Sequence, residues 1–127
     1  MIVRGVRGAT TVAANEAEAI LEATQTLLSA MASANQIVPD DLAAAYFTVT
    51  TDLDAAFPAQ AARRMGWHHV PLMDACEIPV PGSLPRCIRA LLLWNSDVPQ
   101  NQVVHVYQNG ARQLRPDLVQ GSSEKEK

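Results

Sequence analysis

Residues 70–94 read VPLMDACEIPVPGSLPRCIRALLLW, and this stretch decides the fold. Glu77 precedes a turn rich in proline and glycine, and beyond that turn Arg89 lies within the most apolar run of the chain. In a strand over 87–94, alternate side chains share a face, and both faces are apolar apart from Arg89. This pattern predicts a central strand that is covered on each side.

The Arg89 guanidinium needs an anion in such a strand. It keeps its proton at any ordinary pH, and leaving it unpaired in a dry interior would cost about several kcal/mol. The anion can be a structural carboxylate of the protein or a bound ligand, and the strand can also end at a wet rim. The stretch alone leaves these readings open.

The composition and charge of the chain limit the kinds of molecule that it can bind. The chain has 127 residues, enough for one domain, and a net charge of -3, which argues against nucleic acid or an anionic membrane as the main partner. The only lysines are Lys125 and Lys127, so every other cation is arginine, which suits forked binding of carboxylates. Cys76 and Cys87 have neither zinc spacing nor a disulfide framework, which predicts reduced thiols.

The pattern along the chain predicts an α+β domain with a single mixed sheet, one long helix on one face and a short helix. The N-terminus resembles a strand rather than a signal sequence, and no run reaches the ~18 apolar residues of a membrane span, so we expect a cytoplasmic protein. Asn15 and Asn35 are the expected caps of the long helix. The predicted strands are 2–9, 44–50, 67–72, 87–94 and a hairpin of 103–108 with 111–115 around Asn109-Gly110; the predicted helices are 16–34 and 58–65.

One long helix covers one face of a sheet, whereas the Arg89 strand is apolar on both faces. We therefore expect other copies of the chain to bury the second face, with ligand sites in the clefts between subunits. The sequence has no motif that pairs a nucleophilic side chain with a general base. It also lacks the residue spacing of a metal site and the glycine-rich fingerprint of a nucleotide site. Arginines, one glutamate and a tyrosine suit a small polyanion, with any catalysis coming from electrostatic preorganisation.

A series of short motifs resembles the monofunctional trimeric chorismate mutases, in order and at near-constant spacing from Val3 to Leu118. The motifs are Arg4-Gly5-Val6-Arg7-Gly8-Ala9-Thr10-Thr11, Asp52-Leu53, Phe57-Pro58-Ala59, 67–71, Cys87-Ile88-Arg89, Asp97-Val98-Pro99-Gln100, His105-Val106-Tyr107 and Leu114-Arg115-Pro116-Asp117-Leu118.

The resemblance implies a homotrimer with a pseudo-barrel core and three active sites at the subunit interfaces. It implies conversion of chorismate to prephenate, the branch step towards Phe and Tyr, by a unimolecular pericyclic rearrangement that uses no cofactor and no metal. It also implies a chorismate mutase-like domain over 1–118. Residues 119–127 are then a polar tail that we expect to be disordered.

The resemblance also assigns roles by position. Arg89 would bind the ether oxygen as negative charge develops on it, and Glu77 would accept the hydrogen bond of the ring hydroxyl. Arg7 and Tyr107 would hold substrate carboxylate, and the neighbouring chain would supply Phe57. The remaining expected substrate-binding residues are Ala59, Gln60, Arg63 (also from the neighbouring chain), Leu72, Met73, Asp74, Leu114 and Arg115, the last near the pocket mouth.

Two positions depart from the family pattern. Gln60 stands where relatives often carry a lysine, and Asp74 stands where relatives can have a cysteine. A carboxylate that faced the pocket would repel a dianion, so we expect Asp74 to point outward or to pair with an arginine. Two alternatives are an imine or enamine deaminase on a similar trimeric fold and a non-catalytic trimeric protein that binds a carboxylate metabolite. The deaminase reading lacks support from the Leu-Arg-Pro-Asp-Leu ending.

Overall fold

The structure is a computed structural model that describes residues 1–114. Its sheet has five strands in the order β3-β2-β4-β1-β5. β4 is antiparallel to β1 and β2, and the outer strands β3 and β5 are parallel to their neighbours, so the sheet is mixed as predicted. The elements are β1 (Ile2–Thr11), α1 (Ala17–Asn35), β2 (Leu42–Val49), α2 (Ala59–Arg64), β3 (Leu72–Cys76), β4 (Cys87–Ser96) and β5 (Val106–Tyr107), with 3-10 helices at Pro39–Asp41, Gln100–Gln102 and Asn109–Gln113.

The apolar stripe of α1 packs on one face of the sheet, where it builds the core. The stripe has the i, i+3, i+4 spacing of a single helical face, and its buried members are Ile20, Leu21, Thr24, Leu27, Leu28 and Met31. A Cβ added at Gly8 would lie 2.4 Å from the Met31 sulfur, so the Met31 side chain packs directly against the backbone of β1 there. The register places Gly8 in one row with Ala90 and Phe47, and this row therefore faces α1.

In residues 1–114 no α-helix lies over the opposite face of the sheet, and the 3-10 helix Asn109–Gln113 packs beside Ala9 at one end of it. Strand alternation gives this open face the rows Arg7–Leu91–Tyr46–Met73 and Ala9–Arg89–Thr48–Ala75. Leu91 on the central strand is 37% exposed, Tyr46 on the adjacent strand 39% and Met73 on the outer strand 61%, so this face exposes a row of large apolar side chains. The expectation that other copies cover this face stays a prediction.

Both predicted caps of α1 are wrong. The helix begins after Glu16, and the Asn15 side chain instead accepts the backbone N–H groups of Asp54 and Ala55. At the other end, Gln36 adopts the left-handed conformation, with φ 56°. Asn35 uses its amide to bind the N–H and the carbonyl of Val104, so both asparagines connect the helix to a distant loop rather than capping it.

The predicted hairpin at 103–115 is also wrong. Asn109 has the positive φ of 53° that the turn requires, but Gly110 does not, and the chain continues into a 3-10 helix. The Asn109 amide donates to the Thr10 hydroxyl, and the Gly110 N–H donates to the Thr11 hydroxyl. Bonds to β1 therefore replace those of a local hairpin, and β5 pairs in parallel with β1.

The strand predicted at 67–72 is a loop except for its last residue. Trp67 and Val70 are buried as the pattern indicates, but they pack as a loop after α2, and pairing with β2 begins at Leu72. The remaining predicted elements lie within a few residues of the observed ones. The predicted end of the hairpin at Arg115 and the tail 119–127 lie outside the described residues. Within residues 1–114 there is no helix with the length and apolar character needed to cross a membrane.

Candidate active site

β4 and the end of β3, which lie on either side of β2, bring Arg89 and Glu77 together on the open face. Glu77 follows β3 directly, and its N–H donates to the carbonyl of Val49 at 2.8 Å, which extends the strand pairing by one residue. A Glu77 carboxylate oxygen lies 3.5 Å from Nε of Arg89. The Thr48 hydroxyl, which is opposite Arg89 in the register, donates to the same oxygen. A cation, an anion and a hydroxyl therefore form one cluster on β2, β4 and the end of β3.

The Arg89–Glu77 pair is partly screened by solvent. The two side chains are 32% and 24% exposed, so the ion pair does not carry the full desolvation cost of a dry interior. The 3.5 Å contact does not have hydrogen-bond geometry: within residues 1–114, Nε of Arg89 is a buried nitrogen without a hydrogen-bond partner. A buried donor of this kind is costly, which makes it a candidate contact for a ligand oxygen.

The other buried side-chain atom in residues 1–114 with no hydrogen-bond partner is the Tyr107 hydroxyl. Tyr107 pairs with Ala9, Ala9 pairs with Arg89, and the tyrosine packs with Ala9 and Ala111 on the same side of the sheet. Two unsatisfied polar groups therefore lie on one face, on the two strands that flank β1.

Two cavities adjoin Arg89, and the loop at 82–85 lines both of them. The first, of about 200 Å³, is also lined by Glu77. The second, of about 530 Å³, is also lined by Leu114. Arg7 lies on the open face, one row from Arg89, and its guanidinium makes no ion pair with residues 1–114. These volumes and charges suit a small anion.

The other predicted site residues lie elsewhere in the chain. Phe57, Gln60 and Asp74 line a separate cavity of about 490 Å³ between the start of α1, the loop before α2 and the end of β3. Phe57 is 68% exposed, and Arg63 is exposed on α2. The rest of the predicted set comprises Ala59, which is buried, Leu72, which is half-buried, Met73, which is exposed on the open face, and Arg115, which lies outside the described residues.

Asp74 does not face Glu77. It belongs to the row of Phe47 and Ala90, on the α1 side of the sheet, and its carboxylate accepts the backbone N–H of Ala59 at 3.0 Å. Burial raises the pKa of this carboxyl, while the Ala59 hydrogen bond and the nearby Arg63 charge oppose the rise. The second carboxylate is thereby kept away from the Arg89 cluster.

A network that the sequence analysis did not assign fixes the start of β4. The Asp52 carboxylate accepts the N–H of Arg86, which has a positive φ of 47°, and the Thr50 hydroxyl accepts the N–H of Cys87 at 3.0 Å. The Thr50 hydroxyl hydrogen bond, followed by the Arg86 N–H, lowers the pKa of Asp52. Because Cys87 is two residues before Arg89, this network positions the guanidinium; Asp52-Leu53 was its only sequence signal.

Burial raises the pKa of the Cys87 thiol, although the adjacent Arg89 charge opposes this effect. The thiol therefore stays protonated at neutral pH and acts as a small apolar group beside the guanidinium. In the part of the chain that the structure describes, no cluster of three or more His, Cys, Asp or Glu side chains could hold a metal ion. Within the described residues, the charged groups that this face presents are Arg7, Glu77 and Arg89.

A sequence model described as chorismate mutase type I matches residues 3–118. The chain belongs to the type I chorismate mutase family. Chorismate mutase AroH of Thermus thermophilus is 58% identical over 118 residues, which cover 92% of this chain and 97% of that protein. Chorismate mutase AroH of Bacillus subtilis (strain 168) is 43% identical over 119 residues, covering 93% of this chain and 94% of that protein.

A solved structure, the chorismate mutase from Clostridium thermocellum, has the same fold. It superposes with a TM-score of 0.84 at 52% sequence identity, over 85% of this chain and 96% of that one. The family and the α+β fold predicted from the motifs are therefore confirmed. Type I chorismate mutases match this chain over nearly its whole length, so the Arg89 cluster lies within the shared fold.

Proposed function

We propose that this protein is a chorismate mutase that rearranges chorismate to prephenate within the active site around Arg89. Membership of the type I family supports the reaction. The observation that carries the site is the Nε of Arg89, a buried donor without a hydrogen-bond partner in residues 1–114. The Arg89 side chain lines two cavities, one shared with Glu77 and one with Leu114. The deaminase and the non-catalytic binding protein have no comparable support.

The rearrangement is intramolecular, so it needs neither an external nucleophile nor a redox partner. As the carbon–oxygen bond of the ether breaks, a carbon–carbon bond forms elsewhere in the same molecule, and partial negative charge builds up on the ether oxygen. A fixed guanidinium aimed at that oxygen stabilises the transition state more than the substrate. Arg89 has this role in the proposal, and one such donor is worth roughly 3–4 kcal/mol.

The remaining groups bind and orient the substrate. Glu77 accepts a hydrogen bond from the ring hydroxyl, while Arg7 and Tyr107 hold carboxylate. Fixing both ends of the dianion favours the compact, reactive conformation, which lowers the barrier through positioning. Support for these roles comes from the unpaired Arg7 charge and the buried Tyr107 hydroxyl, because both lack partners in residues 1–114.

We infer a homotrimer whose active sites lie between subunits. The Arg89 cluster and the exposed Phe57 line different cavities, which fits a site that one chain supplies from Arg89 and its neighbour from Phe57 and Arg63. The exposed apolar side chains of the open face also favour burial against another copy. A cytoplasmic location and a role in Phe and Tyr synthesis are part of the same proposal.

The direct test follows the loss of chorismate absorbance with purified protein, no added cofactor and excess chelator. We expect turnover under these conditions. Arg89→Ala should reduce kcat about 100- to 1000-fold, because a preorganised transition-state donor is lost. Arg89→Lys should also be poor, since a point charge cannot replace the fork.

The matched control is Arg112→Ala, which removes an exposed arginine that does not line either cavity beside Arg89. Its kcat should stay within about twofold of the unsubstituted protein. Absence of chorismate turnover in the unsubstituted protein would contradict the proposed function. Normal turnover in Arg89→Ala would instead leave the reaction intact and remove Arg89 from its role.

A further inference from the structure

The outer edge of β1 is completed by side chains rather than by a full strand. β5 pairs with β1 only at Gly8 and Ala9, and the N–H of Gln108 then donates to the carbonyl of Ala9 at 2.9 Å. β4 pairs with all of β1 on the other side, whereas β5 pairs with only a short part of it on this side. The backbone of Arg7, which carries one of the proposed carboxylate-binding groups, lies just before this pairing.

His105 continues the pairing by one residue. The N–H of Arg7 donates to Nδ1 of His105 at 3.0 Å, so the imidazole replaces a strand carbonyl. An accepting Nδ1 requires the neutral ring with its proton on Nε2. His105 is two residues before Tyr107, so one side chain connects the backbone of Arg7 to the segment that carries the tyrosine.

The segment that bears His105 is itself anchored. The carboxamide of Asn35, at the end of α1, accepts the N–H of Val104 and donates to its carbonyl, both at 2.8 Å. Further along the edge, the Gln100 carboxamide bonds both the N–H and the carbonyl of Gly5. The imidazole is therefore held between a fixed residue on one side and β5 on the other.

We propose that His105 is a positioning residue that sets the spacing between Arg7 and Tyr107, the two groups that hold substrate carboxylate. This inference rests on the proposed function. His105 acts through the Arg7 backbone and does not touch the substrate. Loss of its acceptor nitrogen leaves the Arg7 N–H without its partner on the β5 side and increases the distance between this edge of β1 and the segment that carries Tyr107, while β4 keeps the register of β1. Substrate and transition state then lose the same contact, and KM rises while kcat changes little.

Two amide variants test whether the position of the acceptor atom matters or only the presence of a polar side chain at 105. In His105→Asn, Oδ1 lies close to the position of Nδ1 and can accept the Arg7 N–H, whereas His105→Gln places its polar atoms near Nε2 and cannot. We expect His105→Gln to raise KM for chorismate about tenfold, the change that loss of one net hydrogen bond gives, with kcat within about twofold. His105→Asn should restore KM to within about twofold of the parent.

Gln100→Leu is the matched control, because it removes edge bonds from β1 at Gly5, further from the proposed site. If His105 merely stabilises the strand, Gln100→Leu and His105→Gln should lower Tm and raise KM alike. The inference requires that KM rises in His105→Gln alone. Equal KM values in His105→Gln and the parent, or a His105→Asn variant as poor as His105→Gln, would overturn it.

A measurement on the unsubstituted protein keeps the test independent of whether a variant folds. The nitrogen-15 chemical shifts of the His105 ring should report an unprotonated Nδ1 and a protonated Nε2 at neutral pH. The opposite tautomer would overturn the inference, because Nδ1 could not then accept the Arg7 N–H. Absence of chorismate turnover in the parent would instead contradict the proposed function and leave this tautomer result standing.

Discussion

Arg89 combines two of the readings that its sequence context left open. It has a carboxylate partner in Glu77, 3.5 Å away, and it also lines two cavities. The partial exposure of both side chains keeps the desolvation cost of the pair modest, so the pair can persist without a ligand. A guanidinium that is charged and already fixed needs no reorganisation as charge develops beside it.

Burial of the Asp74 carboxyl should lower the stability of the protein by an amount that depends on pH. Its folded pKa is raised, so its contribution to stability is present in full below its unfolded pKa of roughly 3.9 and falls as pH rises through the folded pKa. Asp74→Asn keeps an acceptor for the Ala59 N–H and removes the charge. Urea unfolding at neutral pH should find Asp74→Asn at least as stable as the parent, with the difference shrinking below about pH 4.

If the Asp74→Asn variant were more stable than the parent by the same amount at pH 3 and at pH 7, this account would be contradicted. At pH 3 the carboxyl is largely neutral and has no charge to desolvate. A matched reference is Asp52→Asn, since the pKa of Asp52 is lowered. Its stabilisation is present above the unfolded pKa and is lost as pH falls through the folded pKa. The two variants should therefore shift stability at neutral pH in opposite directions.

The sequence identified a candidate site residue where the chemistry of its side chain conflicted with the neighbouring residues. A permanent cation in an apolar strand draws attention to Arg89 without any structure. Thr48 and His105 gave no such signal, because a threonine suits any strand and a histidine suits many loops. Their roles depend on which residue the register or a distant loop places opposite them, and that is a property of the fold rather than of the local sequence.

Between the elements β1 and α1, the Met31 side chain packs directly against the backbone at Gly8. A Cβ added at Gly8 would lie 2.4 Å from Sδ and 3.1 Å from Cγ of Met31, so Gly8→Ala forces the methionine or the helix to move. Overpacking of this kind costs typically 1–3 kcal/mol, and we expect Gly8→Ala to lower the free energy of unfolding by about that amount. Denaturant titration measures it.

The control for this prediction is a double-mutant cycle with Met31→Ala. Removing the thioether clears the space that the new methyl group needs, so the cost of Gly8→Ala should fall by about 1 kcal/mol or more in that background. Additive effects of the two substitutions would show that Gly8→Ala acts through something other than the Met31 contact.

The elements that sequence analysis misplaced are those that bond to distant strands. Asn109-Gly110 favours a hairpin locally, yet the hydroxyls of Thr10 and Thr11 take its donors, and 99 residues separate the partners in each bond. Asn35 likewise favours a local cap but bonds Val104. The long helix and β4 were predicted correctly, because their patterns reflect burial of a whole face and need no knowledge of particular partners.

At the scale of the whole molecule, the open face of the sheet should decide the state of assembly. Leu91 lies near the middle of this face and is 37% exposed in the single chain. Leu91→Glu would bury a charge in any interface formed there, at a cost of about several kcal/mol. We expect light scattering to report a mass near that of the 13.7 kDa chain instead of three times that mass, with the circular dichroism spectrum unchanged.

Val38→Glu is the matched control, because Val38 is also an exposed apolar residue but lies after α1, outside the sheet. It should keep the mass of the parent. A trimer that persists in Leu91→Glu would place the subunit contacts on another surface. A parent that is monomeric at all concentrations would contradict the assembly itself.

The position of β4 has a consequence for how heat unfolds the protein. β4 pairs along its length with β1 on one side and for most of it with β2 on the other, so the peptide group at Arg89 is released only when the centre of the sheet separates. Fraying at β3 or β5 leaves that pairing in place. Warming should therefore release the peptide group of Arg89 only when the sheet collapses: the temperature at which its amide hydrogen begins to exchange rapidly and the temperature of collapse should coincide.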